Sequence, residues 1–152
     1  MLTVRAIMTK PPIDVGMDAT LLQIHEIMEQ HRIRHILITD QGALMGVVSS
    51  IDVARQLSPR LGTLAEKNED RDSLSMLAHR FMTRNPVTIT GDTPIWVAAE
   101  MLLSRKVSCL PVISANGLLE GIITITDLMR LLARRDIIIS EVVPSDNQEG
   151  NH

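Results

Sequence analysis

An α/β fold built from two related β-α-β-β-α units is the architecture this chain predicts, and three observations carry the prediction. Segments of the first half recur in the second at a fixed offset. Each copy ends a strand-like run on Gly-h-h-Ser/Thr-x-x-Asp, where h is aliphatic. The apolar content is aliphatic rather than aromatic: the 152 residues are 45% hydrophobic but 1% aromatic, with one Trp, one Phe, no Tyr and nine Met. Packing must therefore rest on Ile, Leu, Val and Met. A chain of this length can bury such a core without disulfides or metals.

The repeat is read residue by residue. Ile7-Met8-Thr9-Lys10 matches Phe81-Met82-Thr83-Arg84 at an offset of 74, and at that offset Pro12 meets Pro86, Asp18 meets Asp92, Glu26 meets Glu100 and Leu44 meets Leu118. One extra residue near Asn116-Gly117 then brings Gly46 onto Gly121 and Asp52 onto Asp127.

Each unit opens with a short apolar stretch after Pro, Ile13 to Val15 and Val87 to Ile89, which predicts a strand. Asp18, or the group Asp92-Thr93-Pro94, is expected to cap the helix that follows. Leu21, Ile24, Ile27 and Met28 fall at helical spacing, leaving Gln23, Glu26 and Gln30 for solvent; Ile95, Ala98, Met101 and Leu102 are their counterparts. Next come His35 to Ile38 and Leu110 to Ile113, turns at Asp40-Gln41-Gly42 and Ser114 to Gly117, then Leu44 to Val48 and Leu118 to Ile123, which together predict a hairpin. A second helix starts near Ser50 or Thr126 and carries Ile51, Val53, Ala54 and Leu57, or Leu128, Met129, Leu131 and Leu132.

The expected boundaries are residues 1–57 for the first unit, 58–73 for a linker, 74–135 for the second unit and 136–152 for a tail that is partly disordered. The linker is expected to be solvated, because it holds Pro59, Gly62 and the charged run Glu66-Lys67-Asn68-Glu69-Asp70-Arg71-Asp72. A unit of about fifty residues leaves much apolar surface uncovered, so the two should pack sheet against sheet.

Other function classes lose support at this level. A net charge of -3 gives no general attraction for a polyanion, and the aromatic scarcity removes base-stacking platforms, so no nucleic-acid partner is expected. Cys109 is the only cysteine and cannot form an intrachain disulfide. The segment MLTVRAIMTK has no apolar run of signal or membrane length, which predicts a soluble cytoplasmic protein without membrane contact. His31 and His35 have a four-residue spacing but pass from helix to strand with no third ligand nearby, so no metal is expected. Neither a nucleophile with its base nor a G-x-x-x-x-G-K loop is present, and no enzymatic activity or catalytic cofactor is expected. Trp96 at a helix start suggests either a core or a dimer contact, the dimer being favoured.

The duplicated Met-Thr-x-x-Pro leader, capped helix, hairpin and Gly-h-h-Ser/Thr-x-x-Asp resemble a tandem pair of CBS domains over residues 4 to 134. The resemblance implies a stand-alone regulatory module, two pseudo-twofold units packed through their sheets. Its clefts would bind adenine nucleotides (AMP, ADP or ATP, hence energy sensing) or S-adenosylmethionine. It also implies a homodimer that signals to a protein effector. The motif Asp would hold the ribose hydroxyls, the preceding Ser or Thr would lie near ribose or phosphate, and basic residues at the opposite unit's hairpin entry would reach the phosphates.

The residue types suit that ligand. An ionised carboxylate can accept from both hydroxyls of a cis-diol, each such bond being worth roughly 1.5 to 3 kcal/mol. The first turn of a helix also favours anions. An Asp three residues after a Ser or Thr is equally an ordinary helix cap. On the resemblance, the better pocket is expected around Asp127, lined by Thr83, Val87, Val107, Ser108, Thr124 and Thr126, with Arg34 and His35 contributed for phosphate. The second, weaker pocket is expected around Asp52, with Thr9, Ile13, Ile33, Ser49 and Ile51. The competing reading is a structural interaction protein with vestigial pockets.

Overall fold

The computed structural model describes residues 1–134 and 139–144. The expected tail, 136–152, therefore lies largely outside the described residues. In chain order the elements are α1 (Val4–Ile7), β1 (Asp14–Gly16), α2 (Leu21–His31), β2 (His35–Asp40), β3 (Ala43–Ser49), α3 (Ser50–Gln56), α4 (Asn68–Asp72), α5 (Ala78–Phe81), β4 (Thr83–Arg84), α6 (Ile95–Arg105), β5 (Cys109–Ile113), β6 (Leu119–Thr124), α7 (Ile125–Leu132) and α8 (Ile139–Val142).

Two compact units form, and they do not follow the sequence repeats. Pro12–Pro86 with Gly117–Leu119 makes the Asp52 unit. Met1–Pro11 joins Val87–Asn116 and the described residues from Glu120 onward in the Asp127 unit. Each leader has thus left its own repeat and completes the other's sheet.

In the Asp52 unit the strand order is β1-β2-β3-β4, with β1 parallel to β2 and the other neighbours antiparallel. The strand β4, which pairs Thr83 with Val47, is not foreseen in the sequence. In the Asp127 unit β5 pairs with β6, and single bridges stand where the outer strands would be: Ile89 parallel to Val112, and Thr9 antiparallel to Ile122. The expected strand at Val87 to Ile89 is thereby reduced to one bridging residue.

Helix α2 is capped by Thr20 rather than by Asp18. The Thr20 Oγ1 accepts from the Gln23 amide at 3.2 Å, and the Gln23 side chain accepts from the Thr20 amide at 2.9 Å, a reciprocal capping box. Leu21, Ile24 and Met28 are buried from α2 at the expected spacing, as are Ile95, Ala98 and Leu102 from α6. Each unit has its own aliphatic core: Leu21, Ile24, Ile36, Ile38 and Val48 in one, Ile95, Leu102, Leu110, Val112 and Ile123 in the other. Of the residues expected to be apolar ridge on the second helices, Val53 and Leu131 are buried, whereas Ile51, Met129 and Leu132 are exposed.

The linker is not simply solvated. Asp70, on α4, is 4% exposed and accepts from the Ser58 hydroxyl at 2.6 Å, the Lys67 amide at 2.7 Å and the Arg60 guanidinium at 3.2 Å. The Ser58 and Lys67 bonds hold its carboxyl below the usual range, Arg60 adding a smaller effect. A charged run reads as loop in sequence, but one carboxylate at its centre folds the segment around itself.

Candidate functional site

Both motif aspartates arise from one local device. Ser49 and Thr124 finish β3 and β6 with extended backbone and become the N-caps of α3 and α7, so Asp52 and Asp127 fall at the third helical position. From there a carboxylate reaches back to the cap amide: Ser49 N–H donates to Asp52 Oδ2 at 2.8 Å, and Thr124 N–H donates to Asp127 Oδ2 at 2.8 Å. The Gly-h-h-Ser/Thr-x-x-Asp grammar is a capping box placed at a strand end.

The glycine of each motif leaves room for the leader that lies beside it. A Cβ on Gly121 would lie 2.8 Å from Met8 Sδ and 3.0 Å from the Thr9 carbonyl; on Gly46 it would lie 2.7 Å from Met82 Sδ and 2.8 Å from the Thr83 carbonyl. These close approaches bring Thr9 to Asp127, whose Oδ1 accepts from the Thr9 hydroxyl at 2.9 Å. Thr83 pairs beside Gly46 in the Asp52 unit instead. The sequence reading of the leaders is corrected accordingly: Thr9 stands with Asp127 and Thr83 with the strand preceding Asp52. Pairing along the sheet governs this, not proximity along the chain.

The two carboxylates differ in what they have left to offer. Asp127 is 4% exposed, and besides Thr9 and the Thr124 amide it accepts from Thr124 Oγ1 at 3.2 Å and Arg130 Nη1 at 3.3 Å. Both its oxygens are engaged twice. Asp52 is half-buried, and its Oδ1 accepts no hydrogen bond among the described residues. Arg130, one turn along α7, is the partner that the sequence reading missed; its spacing of three from Asp127 was the available signal.

Arg34 and His35 belong to the Asp52 unit. His35 pairs with Ser49 across the β2–β3 ladder. Burial, and then the charge of Arg34, push its imidazole below the usual range, while Asp52 pulls in the opposite direction. The remaining expected residues divide between the units. Val87, Val107, Ser108, Thr124 and Thr126 lie with Asp127, and Ile13, Ile33, Ser49 and Ile51 lie with Asp52. Thr126, Ser108 and Ile51 are exposed; Val87, Val107, Ile13 and Ile33 are half-buried. The carbonyls of Arg34 and Ser108 accept from the Ser50 and Ile125 amides, at 2.8 and 3.4 Å, so each hairpin entry is tied to the start of the following helix.

Cys109 is buried at the start of β5, and desolvation pushes its thiol up to about 12, far from thiolate chemistry. Trp96 buries its indole N–H without an acceptor among the described residues. Among the described residues, no three His, Cys, Asp or Glu side chains gather as metal ligands, and no helix is long and apolar enough to cross a membrane.

The CBS domain family model matches residues 4–59 and 78–134, and the chain belongs to this family as a tandem pair. It is 31% identical over 134 residues to a CBS domain-containing protein of Dictyostelium discoideum, covering 86% of this chain and 91% of that one. It is also 30% identical over 129 residues to the L-aspartate semialdehyde sulfurtransferase of Methanocaldococcus jannaschii, covering 84% of this chain; the chain spans 23% of that relative's length. Among solved structures, the CBS domain pair of protein MJ0100, in complex with 5′-methylthioadenosine and S-adenosyl-L-methionine, superposes with a TM-score of 0.73 at 27% identity, covering 87% of this chain and 96% of that one. The mixed α/β architecture is that of CBS domain pairs.

Proposed function

We infer that the chain is a regulatory module that binds an adenosyl compound, AMP, ADP, ATP or S-adenosylmethionine, at its motif aspartates and acts on a protein partner rather than on a substrate. The observation that carries this reading is Asp52, an ionisable acceptor of which one oxygen holds the helix cap and the other accepts no bond among the described residues. A ribose diol needs such an acceptor. Thr83, in the strand beside β3, and His35, opposite Ser49, add polar groups in the same unit. The similarity to a CBS pair crystallised with two adenosyl compounds supports the ligand class.

Asp127 favours a second reading for its own pocket. Its four accepted bonds make it a structural cap as it stands, and a ribose would have to displace Thr9 or Arg130. We therefore place Asp52 ahead of Asp127 in order of occupancy, the reverse of the ranking the sequence suggests. Leu103, Ile125, Met129 and Leu132, all more than half exposed on α6 and α7, supply an apolar surface on which a second copy can dock as a homodimer.

Isothermal titration calorimetry with AMP, ADP, ATP and S-adenosylmethionine tests the reading. Asp52→Ala should weaken the tightest ligand by roughly ten- to a hundredfold, the loss of about 1.5 to 3 kcal/mol from one charged hydrogen-bonding group. Failure of every adenosyl compound to bind at millimolar concentration would leave an interaction protein with vestigial pockets.

A further inference from the structure

The hairpin of β5 and β6 turns on Asn116-Gly117, an exposed asparagine followed by a glycine with φ of 79°. The pair lies between the end of β5 at Ile113 and the start of β6 at Leu119, outside both strands. It also stands where the chain passes from one compact unit to the other: Asn116 ends a segment of the Asp127 unit, and Gly117–Leu119 belongs to the Asp52 unit. Within the Asp52 unit Leu118 bridges Ala43 in antiparallel register, and the Leu119 amide donates to the Gly42 carbonyl at 3.2 Å. Gly117–Leu119 thus adds a short pairing at the start of β3, and its register is set by the length of the turn before it.

Asparagine is chemically labile where the next backbone nitrogen can reach its side chain. That nitrogen, on losing its proton, adds to Cγ; the bond from Cγ to the side-chain nitrogen breaks, ammonia leaves, and a five-membered succinimide closes. Water then opens the ring at Cγ, giving aspartate, or at the main-chain carbonyl, giving iso-aspartate. One water is consumed and one ammonia released, with no oxidant or catalyst. Glycine in the following position has no Cβ to hinder the attack. The other asparagines among the described residues lack this arrangement. Asn85 precedes Pro86, whose nitrogen has no hydrogen to lose, and Asn68 sits in helix α4 before Glu69, whose side chain crowds the nitrogen. The hairpin of β2 and β3 is the internal control: it turns on Gln41-Gly42, with Gly42 at φ of 81°, but the longer glutamine would have to close a six-membered ring, a slower reaction.

We propose that Asn116 is a self-modification site: it deamidates through a succinimide with Gly117, and the iso-aspartyl product releases Leu118 and Leu119 from the start of β3. In iso-aspartate the main chain runs through Cβ and Cγ and is longer by one carbon–carbon bond, about 1.5 Å. A displacement of that size takes the 3.2 Å bond from Leu119 to Gly42 out of hydrogen-bonding range and shifts Leu118 against Ala43. The Asp52 unit loses this pairing with age, whichever ligand its aspartate binds, so the proposal does not depend on the adenosyl reading.

Ageing the folded full chain at mildly alkaline pH, with peptide mapping by mass spectrometry that separates aspartate from iso-aspartate, tests the chemistry. Asn116 should lose its amide at least tenfold faster than Asn68 or Asn85, with iso-aspartate in excess, and Gln41 should keep its own. Thermal unfolding of the same samples tests the consequence. The aged chain should melt about 2 to 4 °C below the fresh one, the shift that goes with one lost hydrogen bond. Two variants separate the causes. Asn116→Gln, which copies the turn of the other hairpin, should melt alike fresh and aged. Asn116→Asp adds the negative charge without lengthening the main chain, and should melt within a degree or so of the fresh wild type. The proposal is overturned if Asn116 keeps its amide as long as Asn68 does, if iso-aspartate forms without lowering the melting temperature, or if Asn116→Asp alone reproduces the whole fall.

Discussion

Replacing each motif aspartate by alanine should destabilise the protein unequally, and the inequality follows from the hydrogen bonds counted above. Asp127→Ala removes the acceptor of the Thr124 amide, a cap worth about 1 kcal/mol. It also strands the Thr9 hydroxyl, whose bond to a carboxylate is worth about 1.5 kcal/mol at the low end suited to an exposed donor. The Arg130 pair adds about 0.3 kcal/mol, because its guanidinium side is 65% exposed. The total is about 3 kcal/mol for Asp127→Ala against about 1 kcal/mol for Asp52→Ala, which loses only the Ser49 amide bond. At 2 to 4 °C per kcal/mol for a chain of this size, the two melting temperatures should differ by roughly 4 to 8 °C. Urea denaturation followed by circular dichroism measures both variants, with Thr9→Val in each background completing a double-mutant cycle. Thr9→Val should cost about 1.5 kcal/mol in the wild type and nothing on top of Asp127→Ala. Equal destabilisation by the two aspartate variants, or an undiminished cost of Thr9→Val without Asp127, would refute the reasoning.

Gly121→Ala should destabilise by about 1 to 3 kcal/mol, since its Cβ meets Met8 and the Thr9 carbonyl, whereas Gly16→Ala meets no atom within 4 Å; thermal unfolding of the pair checks this. Stability should also fall on acidification because of His35. Its folded pKa lies below its unfolded 6.5, so the unfolded chain takes up the proton first; the stability is complete above pH 6.5 and is lost as pH falls from there through the folded value. His35→Gln should flatten the melting-temperature profile between pH 7.5 and 5.5, and an unchanged slope would remove His35 as the cause.

The outline of the fold was legible because it rests on local signals. The buried set Leu21, Ile24 and Met28 follows helical spacing, and the hairpins at Asp40 and Asn116 follow turn chemistry. The site was half legible. Cap and aspartate lie three residues apart, so their contact is encoded in the chain. The partners of that aspartate were not: Thr9 lies 118 residues from Asp127, and an offset between repeats matches Thr9 to Thr83 without saying which strand either one joins. Glycine at 46 and 121 marks where another backbone comes close, the same residue in both motifs whichever leader arrives.

The duplication, the paired capping boxes and the aliphatic cores were thus determined by the sequence alone, because each depends on residues a few positions apart or on composition. The tertiary structure decided the exchange of leaders between units, the saturation of Asp127 against the open oxygen of Asp52, and the folding of the charged linker around Asp70. These outcomes depend on which backbone fills the space beside a strand and on which carboxylates find donors there. That competition is settled by packing over long chain separations, and two nearly identical motifs leave it with different chemistry.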